Sequence, residues 1–382
     1  MIAIGMMSGT SLDGVDAALV DIRAAGTRYQ VKLLDFSPSP YDAALRRDIE
    51  ALFPPASVQP ATIADLHRRI GIAYAEAAAK VPAETPIDYV AMHGQTVFHD
   101  GERAITLQLG SPYFVRDRLQ TTVCYDFRSA DCALNGHGAP LVPYADAALF
   151  VSSVEDRIAV NIGGIANITY IPRDAKPEEV LAFDTGPGNM LIDAFIAQRT
   201  NGAERYDADG AHAEEGTICA PLLGAMLDDG FFSRLPPKSA GREQFGAPFL
   251  AAHAAALERL SLEDGAATLA ALTAEVLARD IKAVAPLGAH VFVGGGGTRN
   301  NALMTALRER LSSYDVDTTE ALNLPAEARE CVAFALLGYA TLLGKPANLP
   351  RVTGAQRPAV LGSIVPYEIA TLLEKMHAES AG

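Results

Sequence analysis

An unbroken apolar run at 2–6, a Gly/Ser turn and an alternating run at 15–22 predict two strands joined by a polar loop. The pattern returns at 157–162, the Gly163-Gly164 turn and 166–171. Each pair is followed by an Ala-rich segment with apolar residues at helical spacing, 63–81 and 265–284, which predicts an amphipathic helix. Each helix yields to a short apolar strand ending near glycine, 88–92 before His93-Gly94 and 290–293 before Gly294. Two α/β units in the same order predict a duplicated α/β fold, with both glycine-rich ends facing one central cleft.

The Gly-, Asn- and Pro-rich stretch 130–143 is the expected boundary, giving domains 1–130 and 131–382. Residues 202–246 contain few apolar runs and read as a loop or lid, so the domains are expected to close on ligand. An amphipathic helix at 367–378 is expected to pack back on the first domain. A chain of 382 residues is long for a single core, and the space between two domains is where small ligands bind.

The formal charge of −15 comes without a basic run, which argues against nucleic acid and anionic membrane as partners. The N-terminus lacks the basic flank and apolar stretch of a signal peptide, and no segment has the length to span a bilayer. A cytoplasmic location is expected. The four cysteines show no ligand spacing, so neither a protein-held metal nor a disulfide framework is indicated. A homodimer is compatible with the chain.

Gly9, Thr10, Ser11, Leu12, Asp13 and Gly14 form a turn whose backbone N–H groups and hydroxyls suit a phosphate, or a plain hairpin turn. Val15 and Asp16 stand where a Walker motif needs Lys and Ser/Thr, so that motif is excluded. The second turn, with Gly163, Gly164 and Asn167, offers the same geometry. Facing each other, the two turns would hold a polyphosphate and its Mg²⁺ without a lysine, through backbone dipoles and Asp13 or Asp16. Gly294, Gly295, Gly296 and Gly297, then Asn300, open a helix running to about 311, leaving bare backbone for adenine or ribose or a flexible turn. The missing third glycine of GxGxxG disfavours a dinucleotide fold.

Asp184 ends an apolar strand before a helix starting near Met190, which fits an N-cap or a general base at the mouth of the cleft. His93 and Gln95 follow a buried strand at the matching place in the first half. They read as cleft-facing residues or as satisfied residues at a strand end. Arg128 suits a carboxylate-bearing ligand, because its planar guanidinium binds carboxylates through two bonds, or is simply an exposed cation.

The strings GMMSGTSLDGVD (5–16), HGQT (93–96), GAPLVP (138–143), NIGGIAN (161–167), FDTGPGN (183–189) and the 294–301 stretch together resemble the anhydro-N-acetylmuramic acid kinases in order and spacing. The resemblance spans nearly the whole chain and implies the duplicated ribonuclease-H-like fold of actin, hexokinase and the heat-shock chaperone ATPases. It also implies ATP held by residues 9–16, with Asp184 as the base that activates water. That water would attack the anomeric carbon of 1,6-anhydro-N-acetylmuramic acid while the departing oxygen takes the γ-phosphate, giving N-acetylmuramic acid 6-phosphate in cell-wall recycling. The family's sugar-side glutamate matches Glu330, with Glu327 nearly one turn earlier as the alternative. Cys331 departs from the family's alanine, and Asn135-Gly136-His137 from its Gly-Gly-Gln. Two rivals stay open: an ordinary sugar kinase, and a nucleotide or muropeptide sensor without catalysis.

Overall fold

Both hairpins form, and each is the start of a longer antiparallel meander. The computed structural model describes residues 1–9, 11–25, 28–53, 57–82, 84 and 86–380, so Thr10 lies outside the described residues. The chain divides into two units, one of Met1–Leu149 with Ala328–Gly382, the other of Phe150–Glu327.

In the first unit β1 (Ile2–Ser8), β2 (Gly14–Ala25) and β3 (Arg28–Pro40) are antiparallel neighbours. Beyond β1 lie β4 (Tyr89–Asp100), parallel to it, and β6 (Thr122–Tyr125), parallel to β4. Strand β5 (Ile105–Leu109) pairs with the far half of β4, and Ser363–Val365 closes the other edge on β6. In the second unit β7 (Arg157–Ile162), β8 (Ile165–Ile171) and β9 (Leu181–Pro187) form the antiparallel meander. There β10 (His290–Gly294) and β11 (Asp315–Thr318) extend the sheet in parallel from β7.

The spatial orders β3-β2-β1-β4-β6 and β9-β8-β7-β10-β11 are therefore one topology used twice. This is the ribonuclease-H-like arrangement, duplicated as expected. The helices Pro60–Lys80 and Leu262–Val284 supply the long connections to β4 and β10 that parallel pairing requires.

The division of the chain differs from a single boundary near residue 130. It falls after 149 and again after 327, and the whole segment 328–382 returns to the first unit. Packing explains why. The helix Arg329–Leu342 is buried on nearly every side, so it needs walls all round. It lies so close to β1 that a Cβ on Gly5 would overlap the Cys331 carbonyl. The last helix, Ile369–Ser380, is tied down by Lys375 to Asp88 at 2.6 Å and by Glu379 to the Met1 ammonium at 3.2 Å.

Two other expectations change. Strand β4 does not stop at Met92 but continues to Asp100, so His93 and Gln95 sit within it, His93 at an irregularity in its pairing with β1 and Gln95 opposite Ser8 just after it. Residues 202–246 include the helices Ala211–Glu215 and Ala220–Leu227, and they bury Phe231 and Phe245 completely, so much of the stretch is packed. No helix among the described residues is long and apolar enough to cross a membrane.

Candidate functional site

In the second unit, strand pairing sets Gly294, Asn161, Asn167 and Asp184 in one row across β10, β7, β8 and β9. Asn161, Asn167 and Asp184 are each half-buried, although their strands are otherwise largely buried, so the row is open to solvent on one face. The turn after Asp184 is built onto the glycine turn before Asn167. Gly188 donates its N–H to the Gly164 carbonyl at 2.8 Å, and Asn189 donates to the Gly163 carbonyl at 2.8 Å. Two motifs far apart in sequence thus form one surface, and the helix Met190–Arg199 begins from it.

Asp184 Oδ2 accepts the Ala240 N–H at 2.9 Å, while no described residue donates to Oδ1. Burial pushes the pKa of this carboxyl up to about 6, against the lowering effect of the Ala240 bond. The group remains mostly ionised at neutral pH and is a far better base than an ordinary aspartate.

A cavity of about 560 Å³ on this unit is lined by Asn189, Asp193, Arg205, Tyr206, Gly296 and Asn300. Asn300 itself caps the helix Asn301–Arg310, accepting the Leu303 N–H at 2.9 Å. Asp193 in the same cavity is raised to about 6 by burial and by Asp207. Another hollow of about 450 Å³, between Phe195 and Leu250, holds none of the residues singled out from the sequence.

In the first unit the turn after β1 is latched from below. Gln95 donates to the Gly9 carbonyl at 3.1 Å and to the Thr96 carbonyl at 3.3 Å, and accepts from the Tyr41 hydroxyl at 3.3 Å. Gln95, which read as a cleft-facing residue or a satisfied one at a strand end, thus uses both ends of its amide inside the unit. Leu12 adopts the left-handed conformation (φ 57°) and is buried, whereas Ser11 and Asp13 are exposed. Arg46 bonds the Ser11 carbonyl and lies 3.7 Å from Asp13. Val15 is buried in β2. Asp16, opposite Met7 in the β1 pairing, has its pKa raised by burial and then by Asp13.

His93 is buried, its ring against Phe334, and accepts the Arg128 Nε–H at 2.9 Å. Burial and then the guanidinium hold its pKa well below the usual value. Arg128 also donates from Nη1 to the Gly138 carbonyl at 2.8 Å, leaving Nη2 without a partner among the described residues. Glu330 keeps solvent access yet is enclosed enough for burial to raise its pKa, opposed by Arg128 and Arg329 and reinforced by Asp16. Glu327 instead pairs with Arg299.

Several supporting residues carry no sequence signal. Arg329 is buried and pairs through two bonds with Asp146, at 3.0 and 2.6 Å, beside Glu330. Asp131 accepts from Asn348 and Thr353, each at 2.7 Å, and from the Gly138 N–H at 2.8 Å, fixing the 135–138 loop. Among the described residues no group of three or more His, Cys, Asp or Glu side chains is placed to hold a metal.

The family model for anhydro-N-acetylmuramic acid kinase matches residues 1–367. A relative of that name from Streptomyces coelicolor is 41% identical over 372 residues, covering 96% of this chain and 94% of its own. One from Acidithiobacillus ferrooxidans is 41% identical over 370 residues, covering 96% and 92%. Among solved structures, the activator of 2-hydroxyisocaproyl-CoA dehydratase from Clostridium difficile, with bound ADPNP, aligns at a TM-score of 0.45 and 12% identity, covering 88% of this chain and 93% of that one.

Proposed function

Because the chain belongs to the anhydro-N-acetylmuramic acid kinase family, we propose that it opens 1,6-anhydro-N-acetylmuramic acid with water and phosphorylates O6 from ATP, giving N-acetylmuramic acid 6-phosphate and ADP. The observation that carries the mechanism is the row in the second unit. It sets a carboxylate with one free oxygen and a raised pKa beside the Gly163-Gly164 turn.

Asp184 takes a proton from water through Oδ1 as the water oxygen bonds to the anomeric carbon. The bond from that carbon to O6 breaks, and O6 bonds to the γ-phosphorus as the bond to the β-phosphate oxygen breaks. Attack opposite the departing oxygen is the geometry of an inverting glycosidase. It requires both reactants to be held in line.

On the first unit, the phosphates are assigned to the segment 9–16, with Gly9, Ser11, Leu12 and Asp13 in the turn, Gly14, Val15 and Asp16 at the start of β2, and Gln95 bonding the Gly9 carbonyl. On the second unit Gly163, Gly164 and Asn167 form a turn that suits phosphate in the same way. Gly296 and Asn300 line the cavity that suits adenosine in size and in its mixture of bare backbone, Tyr206 and carboxylates, and Gly294 and Gly295 lead into that turn from β10. Arg128, through Nη2, suits the lactyl carboxylate of the sugar; His93 orients that arginine, and Glu330 accepts from a sugar hydroxyl. Mg²⁺ fits Asp16 directly and Asp13 through water, because this ion keeps waters and phosphate oxygens as most of its ligands. It would neutralise charge on the phosphates. The cytoplasm, where ATP is available, is the expected location.

Purified protein with ATP, Mg²⁺ and the anhydro-sugar in ¹⁸O-labelled water tests this by mass spectrometry. A sugar phosphate carrying the label at its anomeric hydroxyl, sampled before exchange, is the expected product. Phosphorylation of free amino sugars with no action on the anhydro-sugar would establish the ordinary kinase instead.

A further inference from the structure

Asp184 is gripped by a segment of chain that belongs to no sheet. The Lys238 carbonyl accepts the Asp184 N–H at 3.1 Å, and the Ala240 N–H reaches Asp184 Oδ2 at 2.9 Å. Residues 238–240 therefore strap both the backbone and the side chain of the aspartate. The strap is anchored in turn by the Lys238 side chain, which is almost wholly buried. Its ammonium lies 2.8 Å from Asp280 Oδ2 and 3.1 Å from Oδ1, on the helix Leu262–Val284. It also sits over the rings of Phe183 and Phe231, at 5.4 and 5.2 Å from their centroids. Phe183 is the residue before Asp184, so one cation touches the strand that carries the carboxylate and anchors the strap that bonds it.

A buried lysine with a single carboxylate partner is an expensive way to fill space, since an apolar side chain would avoid the desolvation of two charges. What the pair supplies is direction: a lysine in this place can satisfy its ammonium only by keeping the strap where it is. We propose that Lys238 and Asp280 are a positioning pair, which holds the Ala240 N–H on Asp184 Oδ2 and so leaves Oδ1 as the oxygen that faces water. Lys238 acts through the backbone rather than on the carboxylate. The proposal rests on the reading of Asp184 as the base.

Asp280→Asn, Lys238→Met and the double variant Lys238→Met with Asp280→Leu are assayed with ATP and the anhydro-sugar from about pH 5 to about 9, beside Asp184→Asn. In the single variants kcat falls roughly 10- to 100-fold, the scale of a base displaced by a fraction of an ångström to one ångström. KM for ATP stays within about twofold. The acid limb of kcat moves to higher pH, because the bond that favours the ionised carboxylate is weakened. Asp280→Glu restores part of the rate. Where a single variant fails to fold by circular dichroism, the double variant carries the test, since it buries no charge. A folded double variant with wild-type kcat and an unmoved acid limb overturns the positioning role. If Asp184→Asn is inactive in that case, only the positioning role fails; if Asp184→Asn is active, the base assignment itself fails.

Discussion

Arg128 donates its Nε–H to His93 Nε2 at 2.9 Å, which assigns the imidazole proton to Nδ1 and makes the histidine an acceptor for the arginine. The ring is buried and its pKa is held well below the usual value, so it stays neutral throughout the physiological range. A neutral acceptor cannot neutralise the guanidinium. It can only fix where the guanidinium points, and Nη2 is the end left for a ligand. His93→Ala is therefore expected to raise KM for the anhydro-sugar about tenfold, as loss of a hydrogen bond to a charged group predicts, and to leave KM for ATP unchanged. Steady-state kinetics with each substrate varied in turn checks it. An effect on ATP alone would move His93 to the nucleotide side.

The pH profile should report Asp184 and not His93. A base works in its ionised form, and burial lifts this carboxyl to about 6. The rate of the chemical step is then full above about pH 7 and falls as the pH drops through about 6. Single-turnover rates with saturating ATP and sugar measure this directly. A limb near the ordinary aspartate value would mean that Asp184 is not desolvated when the sugar is bound.

The glycines of the motifs fall into two groups that substitution can separate. A Cβ on Gly14 or Gly188 would run into backbone, at Ser39 and Gly163 respectively, so these two serve close packing. At Gly9 a Cβ would come no nearer than 3.7 Å to Ser11 Oγ, and at Gly163 no nearer than 3.5 Å to the Ile165 carbonyl. The unliganded fold therefore does not demand glycine at either position. Gly9→Ala and Gly163→Ala are expected to melt within about 1 kcal/mol of wild type, since each adds only one methyl at ordinary contact distance, yet to raise KM for ATP at least about tenfold. Thermal denaturation alongside ATP titration checks both halves of the expectation. Normal nucleotide affinity in both variants would leave the turns as hairpins only.

Both meanders were legible because a continuous or alternating apolar run beside a Gly/Ser turn has few other solutions, and repetition of the pattern exposed the duplication. Asp184 was legible for a related reason: a carboxylate closing an apolar strand before Gly-Pro-Gly is conspicuous. The chain division was less so, since nothing local in 328–382 states which sheet it will cover; that is decided by the all-round burial of the helix Arg329–Leu342 and the bare surface at Gly5. Lys238 was hidden in a stretch read as loop. Its importance comes from backbone bonds to Asp184 and from a partner forty-two residues later, Asp280, neither of which leaves a periodic trace. Gln95 read from the sequence as a cleft-facing residue, and its bond to the Gly9 carbonyl, across eighty-six residues of chain, leaves no local trace.

Replacing the proposed base, Asp184, should make the protein more stable at alkaline pH. Asp184 in the folded chain is raised to about 6, above the value of about 3.9 expected when unfolded. Below both values the carboxyl is protonated in either state and costs nothing extra. Between them the folded state holds a proton that the unfolded state releases, so the relative cost of folding grows with pH, and above about 6 it is constant. Asp184→Asn removes that cost and retains an oxygen that can accept the Ala240 N–H. The variant is expected to be more stable than wild type by about 1–2 kcal/mol at pH 8, with the difference vanishing by about pH 4. Urea denaturation at the two pH values measures it. Equal stabilities at pH 8 would show that the carboxylate recovers its solvation in the folded chain, and the acid limb of the kinetics should then sit low as well.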